Sequence, residues 1–401
     1  MLMLIVLIQN KNMTETYSPI PTSETYISPD DPLAAEAVFD GVYHALVYDL
    51  EHGSQRHALI DGTVQAIDID PSYEFVKPHF DDAERSVEPL DQPIPAATFG
   101  NKYMNEARLE AENVYRGQPG NIDVRIQRAR ELTQTFLSRA AQMQRNGTAD
   151  GLTIKLFLDR IGDIKHFAHG YNKVVAKNDE SMPDKAASDR YEEAIPQLLR
   201  GHPDLVMQED SPFVHVNSRG TQPSDRRYYI SPRLNGQPEA VVQIWTQTLQ
   251  DLGLDGEVYY KVALGVARQY DLLLGYASGA DSNAKMMQAI KEFGKRCPPE
   301  LLSDTTLPTG IKIAHGVAIA PEPTELNTLL RYRGKGKASY NQFVCGLSDL
   351  ALRRASYDFM QQGWQPEQIA KEQLAAAARP YFVQLTALSG IDPTTMEAFS
   401  E

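Results

Sequence analysis

Near the C-terminal end, Arg331-Tyr-Arg-Gly-Lys-Gly-Lys337 holds four cations and no anion within seven positions. The whole chain has 53 acidic and 39 basic residues and a formal charge of −14, so this run is a local inversion of charge. Gly334 and Gly336 let successive backbone N–H groups turn toward one anion, while Arg333, Lys335 and Lys337 neutralise it. The run is not a P-loop: Lys337 is followed by Ala338, and the upstream glycine is missing. A solvated basic loop is the other reading of the same residues.

Further cations stand at strand positions. In Arg226-Arg-Tyr-Tyr-Ile-Ser231, period-two alternation puts Arg227, Tyr229 and Ser231 on one face and Arg226, Tyr228 and Ile230 on the other, so one arginine meets the less exposed side. In Glu257-Val-Tyr-Tyr-Lys-Val-Ala263, Lys261 interrupts a run that is otherwise apolar or aromatic. Such a lysine is an edge-strand gatekeeper, a snorkelling side chain, or a functional amine. Arg268 leads the next strand at a hairpin end, where it can reach the same face. His166 and His169 share a helical face, but no glutamate lies between them and no third ligand suggests itself. No metal site is therefore expected.

The elements that carry these residues change character along the chain. Residues 1–31 read as a disordered lead-in rich in Ser, Thr, Pro and Glu. Residues 32–210 read as a mainly helical N-terminal domain: a helix after Asp31-Pro32, a short strand at Val64–Ile69, and helices over Lys102–Arg116, Asn121–Arg145 and Leu152–Ala176. The charged, Pro-containing stretch Lys177–Asp189 reads as a loop or flexible joint. Residues 211–401 form the second expected domain. Its strands are Phe213–Val216, Arg226–Ser231, Glu257–Leu264, Tyr270–Tyr276 and Ile311–Ala320. Its helices follow Asn235-Gly236, span Ser282–Phe293, and start at Ser339 and Pro366. The fold class is α+β, with a mainly helical N-terminal half and a C-terminal domain of helices packed on a mainly antiparallel sheet.

The order Arg-Tyr-Tyr-Ile-Ser, helix, Val-Tyr-Tyr-Lys-Val, Arg-Gln-Tyr-Asp-Leu-Leu-Leu-Gly-Tyr, Gly316-Val-Ala-Ile-Ala-Pro-Glu-Pro and the basic glycine loop resembles the HopA effector family. It spans residues 226–356, roughly a third of the chain. That family is named for a secreted plant-pathogen effector. It includes lyase components of some lanthipeptide and thioamitide pathways and resembles the phosphothreonine lyases. The resemblance implies that Lys261 is the base, that Arg227 and Arg268 are phosphate-binding cations, and that the loop Arg333-Gly-Lys-Gly-Lys337 supplies the last one. Two positions depart from the pattern. Lys337 stands where an arginine is expected, which keeps the charge but loses the bidentate grip. Tyr229 stands where the phosphothreonine lyases have a histidine acid.

Elimination from phosphothreonine removes an α-proton, expels phosphate from the β-carbon and leaves a dehydroamino acid. The base must be neutral, although a free lysine has a pKa of about 10.4. Burial and neighbouring cations push that value down, and the same cations stabilise the departing phosphate. Tyr229 or Tyr276 is the expected donor or positioning group, with His315 a further candidate. The scheme needs no metal or organic cofactor. The expected partner is a phosphorylated peptide, with a kinase to install the phosphate. The alternatives are a non-catalytic phosphopeptide-binding or effector-like protein, and a structural domain with surface cations. The negative charge argues against nucleic acid. The apolar start Met1–Ile8 is too short to span a bilayer, and Met13 is the expected true start. Cys297 and Cys345, with no zinc-finger spacing, fit a reducing cytoplasm, with secretion as an effector still open.

Overall fold

The computed structural model describes residues 33–52, 57–60, 63–66, 70–88, 96–116, 122–175, 177, 183–200, 205–207, 212–217, 224–266 and 269–398. The expected lead-in and Arg268 lie outside them.

The chain opens with α1 (Ala34–His52), which buries Val38, Phe39 and Val42 at helical spacing. An antiparallel hairpin follows, β1 (His57–Ile60) with β2 (Thr63–Ala66). The helix α2 (Pro71–Ser86) starts on Asp70, whose carboxylate accepts the Ser72 amide at 2.9 Å. Next come α3 (Ala96–Tyr115) and α4 (Ile122–Asn146), the latter stopped by Gly147 at φ +70°. The segment expected as one helix over 152–176 is two, α5 (Gly151–Arg160) and α6 (Ile164–Val175), parted by a 3₁₀ turn at Ile161–Asp163. Gly162, a weak helix former, sits in the break.

Within the stretch expected as a loop over 177–189, a helix begins: α7 (Lys185–Leu198). Asp184 caps it, accepting the Ala187 amide at 2.7 Å, and Ala187, Tyr191 and Ile195 recur every fourth residue on its buried side. Of the charged residues that suggested a loop, Lys185 and Asp189 lie exposed on the helix. The strands β3 (Leu205–Met207), β4 (Phe213–Val216) and β5 (Arg226–Ile230) come next, then α8 (Pro238–Asp251), β6 (Tyr259–Ala263), β7 (Leu273–Ala277) and α9 (Gly279–Arg296). The single strand expected over 311–320 is a hairpin, β8 (Ile311–Ala314) and β9 (Val317–Pro321), turning at Gly316 with φ +65°. A side chain there would be strained and would meet Leu302. The chain ends with α10 (Thr324–Tyr332), α11 (Tyr340–Gln361) and α12 (Lys371–Leu388).

The contacts divide the chain into two units that are not consecutive in sequence: Val175–Glu322, and residues 33–174 together with 323–398. The first contains a sheet of order β3-β4-β6-β7-β5-β9-β8, antiparallel throughout. Helices α8 and α9 pack on one face of it, which makes an α+β arrangement. On that face Trp245 meets the rings of Tyr260 and Phe293 edge-on, with centroids 6.1 and 5.8 Å apart. Tyr228 donates its hydroxyl hydrogen to Asn283 at 2.8 Å. The side chains of the opposite face alternate with these.

In the second unit, α11 is buried along most of its length from Tyr340 to Ser356, and Ser339 starts it with a capping box to Gln342. Phe39 of α1 lies 5.4 Å from Phe382 of α12, so the last helix packs on the first. Gly346 allows α11 to approach the start of α6: a Cβ there would stand 2.6 Å from the Ile164 carbonyl oxygen. Gly346→Ala is expected to lower stability by about 1–3 kcal/mol, the usual cost of overpacking against backbone. An unchanged urea midpoint would show that the close approach does not matter.

Candidate functional site

The face opposite α8 and α9 gathers the polar strand residues, and the register states which ones. Arg227 of β5 is paired with Tyr276 of β7 and Ala320 of β9. Tyr276 is paired in turn with Tyr259 of β6. One row along, Lys261 of β6 is flanked by Leu274 of β7 and His215 of β4, and Tyr229 of β5 is paired with the same Leu274. Residues two apart on a strand share a face. Phe213, His215, Tyr259, Lys261, Leu274, Tyr276, Arg227 and Tyr229 therefore form one surface across four neighbouring strands.

Lys261 is a central-strand lysine, with its side chain only 13% exposed. Its ammonium nitrogen lies 3.7 Å from the Phe213 ring centroid and 3.9 Å from Asp271 Oδ2. Burial lowers its pKa most, Asp271 and Glu322 work against that, and Arg227 adds to it; the result is about 8. An amine in that range is neutral in about one molecule in ten at pH 7, against about one in a few thousand for a free lysine.

Arg227 donates through Nε to Oε1 of Glu322, a carboxylate just 2% exposed. Its guanidinium lies 5.6 Å from the Tyr276 ring centroid. With Nε held, the terminal amino groups are the part of the fork that can address an anion. Burial raises the Tyr229 hydroxyl to about 12 although Arg227 works the other way, and burial likewise keeps Tyr276 protonated. Tyr259 stacks on Tyr276, centroids 4.6 Å apart at 17°, and its hydroxyl lies 2.9 Å from His215 Nδ1. Burial, and then Lys261, lower the pKa of that histidine.

Of the residues selected from sequence, Lys261, Arg227, Tyr229 and Tyr276 come together on this face. Arg268 lies outside the described residues. Arg333, Lys335 and Lys337 belong to the other unit. There Arg333 Nε donates to Glu110 at 2.5 Å, Lys335 stands 3.7 Å from the same carboxylate, and Lys337 is exposed. His315 sits in the turn between β8 and β9, its Nε2 on the Pro299 carbonyl at 3.1 Å. A groove of about 870 Å³ between α4 and α12, lined by Gln134, Arg139, Gln142, Met143 and Gln384 among others, contains none of these residues.

Sequence reasoning missed four participants. Asp271 precedes β7 and Glu322 follows β9, where acids are ordinary, and only the approach of Asp271 to Lys261 and the burial of Glu322 mark them. His215 and Tyr259 lie 44 residues apart, and nothing local links them. Tyr259, however, alternates with Lys261 on the same strand, which is the signal that could have found it.

No family model and no curated protein matches the chain. Two solved structures are similar at low levels. The effector protein from Pseudomonas syringae pv. syringae strain 61 is 15% identical with a TM-score of 0.34, over 68% of this chain and 99% of that one. The effector protein from Pseudomonas syringae pv. tomato strain DC3000 is 12% identical with a TM-score of 0.36, over 69% of this chain and 100% of that one. Among the described residues, no helix is long and apolar enough to cross a membrane.

Proposed function

We propose that this chain is a phosphothreonine or phosphoserine lyase, removing phosphate from a phosphorylated peptide by β-elimination. The observation that carries the reading is Lys261: an amine shielded from water on a central strand, lowered to about 8, on the same face as a buried arginine. A lysine placed to hold an ion pair would have its charge favoured, whereas here burial outweighs the two carboxylates. The resemblance to the HopA effector family supports the same assignment, with Lys261 as base and Arg227 as a phosphate cation. It also supports a kinase as the supplier of substrate, as in lanthipeptide maturation.

In this scheme Arg227 binds the phosphate through its terminal amino groups. Glu322 holds the guanidinium in orientation through Nε. Neutral Lys261 removes the α-proton, the electron pair of that bond forms the Cα=Cβ double bond, and the Cβ–O bond breaks toward phosphate. Arg227 stabilises the charge that develops there.

The test uses a phosphothreonine peptide, the purified chain and a thiol. A lyase releases inorganic phosphate and leaves an unsaturated residue that adds the thiol. A phosphatase leaves threonine, which does not. Binding without release would favour a phosphopeptide-binding module, and neither binding nor release would remove the functional reading altogether.

A further inference from the structure

β-Elimination of phosphate moves two protons, one from the α-carbon and one to the leaving oxygen, and the sheet offers a group for the second. We propose that His215, held by Tyr259, is the catalytic acid that protonates the departing phosphate. The proposal rests on the lyase reading of the same face and names a residue that reading does not use.

The placement carries it. His215 is the direct cross-strand partner of Lys261. Paired side chains in an antiparallel ladder have their Cβ atoms about 4.5–5.5 Å apart, so base and acid address one substrate from adjacent strands. The Tyr259 hydroxyl engages Nδ1 at 2.9 Å, leaving Nε2 as the nitrogen that faces a ligand. The ring is stacked at 24° on Tyr259, which is stacked on Tyr276, which lies beneath Arg227. The acid is therefore fixed in orientation relative to the phosphate cation. Tyr229 and Tyr276 share the face, but burial makes both hydroxyls poorer acids than a free tyrosine. Among the described residues, the titratable groups facing His215 are Lys261 and Tyr259 on β6; its partner on β3 is Val206, and Phe213 is its neighbour on its own strand.

The step balances. Neutral Lys261 gains the α-proton and becomes an ammonium. The oxygen that keeps the Cβ–O electron pair takes the Nε2 proton, giving hydrogen phosphate and neutral imidazole. Transfer of one proton from the ammonium back to the imidazole restores the starting state.

The reactive form thus holds a single proton on the pair, on His215 and not on Lys261. Two groups sharing a proton in this way titrate together, and kcat/KM falls once the pair loses it, above about pH 8. Without the histidine the lysine alone governs that region, and the rate rises through it. The experiment is phosphate release from a phosphothreonine peptide between pH 6 and 10 by wild type, His215→Gln and Tyr259→Phe. His215→Gln is expected to lose about 10²-fold or more at pH 7 and to reverse the slope above pH 8. Tyr259→Phe keeps the stacked ring and is expected to lose about tenfold, the size of one hydrogen bond, with the wild-type shape retained. Release by His215→Gln within threefold of wild type, or a slower rate with the wild-type fall above pH 8, overturns the assignment. An unchanged rate for Tyr259→Phe overturns the pairing. A wild-type chain that releases nothing overturns the lyase reading itself, a result distinct from each of the others.

Discussion

Lys261→Ala is expected to abolish phosphate release, by about 10²–10⁴-fold or more, while leaving affinity for the phosphopeptide within a few-fold of wild type. The base acts only in the transition state, so its loss belongs in kcat rather than in KM. Binding is expected to persist because Arg227 and its Glu322 support are untouched. Lys261→Arg is the sharper variant. It keeps a positive charge where the ammonium lies over the Phe213 ring, yet a guanidinium stays protonated and cannot take the α-proton. Loss of release in both variants identifies proton abstraction as the function of Lys261. Recovery in the arginine variant would mean that the residue acts only as a positive charge, and the base assignment would fail. Stopped assays of inorganic phosphate, beside direct binding of the same peptide, read both quantities.

The sheet that carries these residues was readable in outline because alternation survives in each strand separately. Arg227 and Tyr229 could be put on one face from β5 alone, and Lys261 stood out as a cation in an otherwise apolar run. What alternation cannot supply is register. That Lys261 stands beside His215, and Tyr276 beside both Tyr259 and Arg227, follows from pairings between distant segments, and a slip of one residue would turn every side chain over. The helix α7 was missed because polar residues were counted without their period: Ala187, Tyr191 and Ile195 make a narrow buried stripe under a charged surface. A left-to-right reading also cannot show that α12 returns to α1, as the Phe39–Phe382 contact does. The basic loop was conspicuous by composition, but composition does not reveal that Arg333 is already held by Glu110.

Arg227→Ala is expected to cost about 3–5 kcal/mol of stability as well as activity, because it leaves Glu322 buried without the cation that compensates it. The pair is more enclosed than a surface ion pair: Glu322 is 2% exposed and Arg227 13%. Truncating either member alone strands the other's charge, whereas removing both strands neither. Arg227→Ala/Glu322→Ala is therefore expected to be much less destabilised than the sum of the two single variants. Chemical denaturation of the four proteins measures this coupling directly, and additive effects would show that the pair is not the structural element described here. The same set separates support from chemistry. The double variant recovers stability but still lacks the guanidinium that binds phosphate and helps hold the Lys261 pKa down. It is expected to fold and remain inactive, and activity returning with stability would remove Arg227 from the phosphate site.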